Sequence, residues 1–148
     1  MSDIREKILA RLFEITKTVN PSALRMDFGV DLANPPALVL MDGEEGYQEE
    51  DGGHEIKAPA KMLMTPHVVM MFQASEKVGP LLSASRSKLV KAITRDEQIP
   101  QLTGISHGRY PIGARYTGCE TVAQLEEGVL GFVVLHFSIV YLFTPDDL

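Results

Sequence analysis

Asp42, Glu55 and Lys57 are the first residues in this chain with a chemistry to offer. Asp42 closes an apolar run, and Glu55-Ile56-Lys57 follows on the far side of a glycine-rich loop. Two carboxylates and a lysine so arranged would hold Mg2+ and polarise an attacking water for phosphodiester cleavage. The pattern is short, and Glu-x-Lys arises readily in an acid-rich stretch, so it stands as the enzymatic alternative. The surrounding acids do not follow the alternate-position, fixed-glycine spacing of a helix–loop–helix calcium site. His54, His67, His107 and His136 are widely separated, and neither they nor Cys119 show paired zinc-ligand spacing. His136 reads as a hydrogen-bonded core histidine and Cys119 as a packed thiol without a nucleophile's signature. No glycine-rich phosphate loop is present, so no catalytic residue, metal or cofactor is assigned.

The elements around these residues carry more information. Leu130–Phe143, LGFVVLHFSIVYLF, is apolar except at Gly131, His136 and Ser138. Its β-branched and aromatic content reads as a strand. Val133, Leu135, Phe137, Ile139, Tyr141 and Phe143 fall on one face, and the alternate positions form a second, interrupted apolar face. Such a strand is expected in the middle of a sheet, covered on both sides. At about 3.3 Å per residue it spans about 46 Å, against about 40 Å for a domain of this size. It must therefore bend, or leave the core to meet another surface.

Length and composition fit one globular domain over 1–148. The charged, amphipathic start MSDIREKILARL is no signal peptide, and no apolar run is long enough for a membrane helix. A single cysteine permits no internal disulfide and suits a reducing compartment. Charge is uneven: residues 42–55, DGEEGYQEEDGGHE, hold seven acids and no Lys or Arg, and without them the formal charge of −6 becomes +1. This run is expected to be a flexible acidic loop.

In chain order, 3–19 reads as a helix capped by Ser2, with Ile4, Ile8, Leu12, Ile15 and Val19 on its apolar side. Residues 22–28 suggest a short strand and 37–41, ALVLM, a buried one. In 57–74, Pro59 and Pro66 argue against a central position, which leaves His67 to Ala74 as the better strand. A second helix runs from about Gly79 to Thr94, with Leu82, Leu89 and Ile93 inward and Arg86, Lys88, Lys91 and Arg95 on a basic side. A loop at 95–105, an edge strand at 108–118 and a turn or short helix at 120–127 precede the final strand. The expected class is α+β: a mainly antiparallel or mixed sheet, two helices packed on it, and a long central C-terminal strand.

The pattern as a whole resembles the tail terminator proteins of long-tailed bacteriophages, the group of the lambda minor tail protein U. The likeness runs through IREKILARLFEI, PALVLMDGEE, MTPHVVMMFQAS, LLSASRSKLVKAITRDEQI and GVLGFVVLHFSIVYLF. Asp42, Glu55 and Lys57 separately resemble the core of restriction-type nucleases. The terminator resemblance implies a small α+β protein, without catalysis or cofactor, that forms a homohexameric ring on the head-proximal end of the tail tube. It implies assembly in the bacterial host cytoplasm, residence in the virion tail, and contacts with the major tail tube protein and a head-completion or neck protein. DNA is then met only in passage, and no membrane is involved. A neighbouring neck or tail-completion role is the nearest alternative, and a monomeric adaptor binding through its acidic loop is a further one. As subunit-interface or lumen residues the reading singles out Asp42, Glu44, Glu45, Glu49, Glu50 and Asp51, with Arg86, Lys88, Lys91 and Arg95.

Overall fold

The computed structural model describes residues 3–30, 36–47, 60–73, 78–126 and 128–143. The chain opens with α1 (Ile4–Val19), β1 (Leu24–Arg25), β2 (Ala37–Met41), β3 (Glu45–Tyr47), β4 (Ala60–Met64) and β5 (His67–Gln73). It continues with α2 (Val78–Thr94), α3 (Gln98–Thr103), β6 (Ser106–His107), β7 (Tyr110–Pro111), β8 (Arg115–Glu126) and β9 (Gly128–Phe143). The fold is α+β, with a mixed sheet in which only β1 and β2 run parallel among the described strands.

β9 is the central strand, as its apolar sequence requires. β4 and β5 lie along one side of it in a single unbroken register, from Ala60 opposite Phe143 to Gln73 opposite Leu130. β8 lies along the other side. β2 and β3 continue the sheet beside β5 and β4. β9 itself runs unbroken through Phe137, and the irregularities of its neighbours gather at that level. Gly43 turns the chain between β2 and β3 with φ +72°, a conformation that suits glycine. A Cβ there would also lie 1.9 Å from the Thr65 carbonyl oxygen. Pro66 interrupts the next strand, and the register of β8 shifts between Tyr116 and Gly118. Bulges of this kind bend strands and increase their twist.

Pro66 lies between β4 and β5 and belongs to neither strand, in line with the sequence expectation that the better strand begins at His67. It has no N–H to give, but its carbonyl accepts the Phe137 N–H at 3.0 Å, so only one ladder bond is forgone. β4 forms just before it for the same reason: β9 supplies a partner on which propensity alone is silent.

The three helices cover one face. Ile8, Leu12, Leu89, Ile93 and Ile99 pack with the odd-numbered β9 residues from Val133 to Phe143 into the main core. The alternate residues, Phe132 to Leu142, are only half-buried. The expectation that both faces are covered is therefore corrected: helices supply one cover, and a smaller cluster of Ala37, Val39, Val69 and Met71 lies on the other face.

Other expectations change too. The α1 cap is Asp3, whose carboxylate accepts the Glu6 N–H at 3.4 Å, and Ser2 lies outside the described residues. Glu45–Tyr47 is a strand rather than loop. The 95–105 loop contains α3, and 120–126 is strand β8, not a turn or helix. The edge strand expected at 108–118 is split between β7 and the start of β8.

Candidate functional site

Asp42 ends β2 beside Arg25 of β1, and the guanidinium takes both carboxylate oxygens at 3.0 Å. The same Arg25 holds Glu6 of α1 at 2.6 and 2.8 Å. Glu6 and then Asp42 raise the pKa of Arg25, and the Arg25 hydrogen bond lowers that of Glu6. Asp42 is thus half of a clamp joining the start of α1 to the end of β2. Glu55 and Lys57 lie outside the described residues. Among the described residues no group of three or more His, Cys, Asp or Glu side chains is arranged to hold a metal ion.

Of the other acids singled out from the sequence, Glu44 and Glu45 are exposed beside the Gly43 turn. The Thr65 N–H donates to the Glu44 carbonyl at 3.0 Å, which fixes this corner to β4. Glu49, Glu50 and Asp51 lie outside the described residues. Arg86, Lys88, Lys91 and Arg95 are all exposed on or just past α2, but they do not form one patch. Lys88, Lys91 and Arg95 share a stripe at helical spacing. Arg86 lies on the flank facing β8, in a hollow with Leu82, Cys119 and Val133. There burial raises the Tyr116 pKa, Cys119 adds to the rise, and Arg86 opposes it.

The second face of the sheet holds what sequence reasoning missed. His136 is not a core histidine. It lies on this half-open face, 3.0 Å from Glu120 of β8 and directly across from His67 of β5. The two rings are 5.7 Å apart. Burial and then His136 hold His67 below the ordinary histidine range, while the Thr65 backbone and Glu120 oppose the shift. Beside this cluster a groove of about 450 Å3 is lined by Phe28, Val69, Met71, Val122, Phe132 and Val134. Phe28 is 50% and Val122 44% exposed, unusual for side chains of their type. The alternation in β5 and β9 could have pointed to this surface. Its completion by Val122 and Phe28 depends on a β8 register and a 26–30 path that local sequence does not specify.

No protein-family model matches this chain, and no curated protein sequence does. Among solved structures, a chain of the virion of a native gene transfer agent particle shares the architecture. The alignment covers 90% of this chain and 91% of that one, with a TM-score of 0.52 and 9% sequence identity. At that identity the likeness is one of fold, and it extends over the sheet and helices alike. No helix among the described residues is long and apolar enough to cross a membrane.

Proposed function

We propose that this chain is a structural subunit of a tailed, phage-type virion, and within it the tail terminator. Six copies form a ring on the head-proximal end of the tail tube, stop its growth and offer the surface to which the head-completion or neck protein attaches. The observation that carries the reading is the shared fold with a virion chain, matched over nine-tenths of both. The pattern resemblance to tail terminators supplies the position within the particle. The subunit assembles in the bacterial host cytoplasm, has no enzymatic role, and meets DNA only as it passes through the lumen.

Two placements of the acidic run serve such a ring. Facing the lumen, the negative charge keeps DNA from adhering in transit, because the phosphates are negative too. At the seam, it meets the basic side of the next subunit's α2, where charge sets register and partner choice. Asp42 belongs to neither, since Arg25 occupies it within the subunit. Reversing Glu49, Glu50 and Asp51 to lysine tests both, and unchanged ring formation and head joining would remove them.

Solution mass across a concentration series, with images of the largest species, is the deciding measurement. Six-fold rings, free or on added tail tubes, are expected. Rings that join heads but never seat on tubes would move the chain to a neighbouring neck position. Mg2+-dependent DNA cleavage abolished by Lys57→Ala would overturn the structural reading in favour of the nuclease, a reading that the Arg25 clamp on Asp42 weighs against.

A further inference from the structure

The ladder between β5 and β9 ends at a weak point, and two histidines stand beside it. Pro66 lies opposite Phe137 and accepts its N–H at 3.0 Å, but has no N–H to return. These two occupy a hydrogen-bonded position of the antiparallel ladder. The next pair along, His67 and His136, is therefore a non-hydrogen-bonded one, in which side chains stand closest. Their rings are 5.7 Å apart on the half-buried face of the sheet. On the other flank, Gly118 lies across from His136 at the register shift of β8. The histidine pair is thus bordered by a missing ladder bond and by a bulge.

One carboxylate serves the two rings. Glu120 of β8 is 3.0 Å from His136 Nε2, and among the described residues no acid is paired with His67. Arg115 stands opposite Ser138, the next residue of β9 on this face. Beyond Pro66, the Glu44 carbonyl takes the Thr65 N–H. On β2, Met41 faces His67 and carries no charge. On the helix-covered side the adjoining pair, Val68 and Leu135, is apolar. Burial and then His136 hold His67 below the ordinary histidine range. A base so depressed gives stability that is complete above its unfolded value of about 6.5 and is lost as pH falls through the folded one.

We propose that His67, His136 and Glu120 form an acid-sensitive catch between β5 and β9. With His67 neutral the pair is closed. Once both rings carry a proton, two like charges face each other with a single carboxylate to serve them. The strands then part where the ladder already lacks a bond. The next residues on the same face are Val69 and Val134, which line the apolar groove, so opening loosens that end of the groove. The device lies within one subunit and stands apart from the ring-subunit reading.

Hydrogen exchange read residue by residue tests it. The Phe137 N–H, held by the Pro66 carbonyl, is the probe. Between pH 7 and pH 5 its protection factor should fall by about threefold or more, the factor that two unit charges 5.7 Å apart carry at the dielectric constant of water. The Leu12 N–H in α1 should keep its protection. His67→Gln and, separately, His136→Gln leave no ring pair and should hold Phe137 protection level over this range. In proton spectra of the rings, the His67 midpoint should rise in His136→Gln and fall in Glu120→Gln. Phe137 protection that is level in the wild type, or that falls as far in both glutamine variants, would overturn the catch. So would a His67 midpoint that neither substitution moves. A fall shared equally by Phe137 and Leu12 would mean general acid destabilisation and would overturn it too.

Discussion

Asp96 ties three helices together through one carboxylate. It follows α2, accepts the Arg11 guanidinium of α1 at 2.7 Å, and accepts the Ile99 N–H of α3 at 2.9 Å. Its side chain is only 7% exposed. Burial pushes its pKa up, but Arg11 and the α3 amides outweigh burial and hold it below the usual carboxylate range. A depressed folded pKa gives stability that is fully present above the unfolded value of about 4 and is lost as pH falls through the folded one. Asp96→Asn is therefore expected to lose about 1–3 kcal/mol at pH 7, with the difference from wild type shrinking at pH 3. Urea unfolding at both pH values checks this, and an equal loss at each would show that charge is not the source. Glu6, 54% exposed in its pair with Arg25, should matter much less, since exposed ion pairs contribute little. Neither pair was legible in the sequence. Arg11 and Asp96 are 85 positions apart, and each alone reads as an ordinary surface charge.

Elements were legible where their own side chains determine them. The apolar periodicity of α1 and α2, and the unbroken apolar runs of β2 and β9, specify element and inward face together. β8 was not legible at 120–126. Cys119, Glu120, Thr121 and Val122 are exposed on both faces, so no alternation marks the strand, and β9 alone makes it one. α3 has six residues and a proline at Pro100, too short for a helical period to register. Packing between elements also hides in small residues. Phe72 of β5 lies across Gly131 of β9, where a Cβ would stand 2.3 Å from the ring. Gly131→Ala is expected to destabilise the fold by about 1–3 kcal/mol through overpacking. Phe72→Leu should couple to it, so the double variant should be less destabilised than the sum of the singles. Additive losses in urea unfolding would show that the two residues do not share this contact.

At the scale of the whole molecule, the informative asymmetry among the described residues is between a sheet face closed by helices and one whose side chains stay half-buried. No residue motif announced it, because it appears only when the alternate positions of four strands are brought to one side. That is also why the chemistry-bearing residues misled: Asp42 is absorbed by Arg25, His136 by Glu120, and the candidate site is a surface. A ring-forming subunit, as proposed, would act differently from a binding monomer. If six copies cap a tube built of many rings, each cap acts on one end only. Adding the chain to assembling tail tube protein should then shorten the tubes at ratios far below one copy per tube subunit. Finished tubes so capped should not lengthen when fresh tube protein is supplied. Tube length measured on electron micrographs against the ratio of the two proteins decides the matter. Shortening only near equal ratios would mean that the chain sequesters tube subunits as a monomer, and an unchanged length at every ratio would remove it from the tube end.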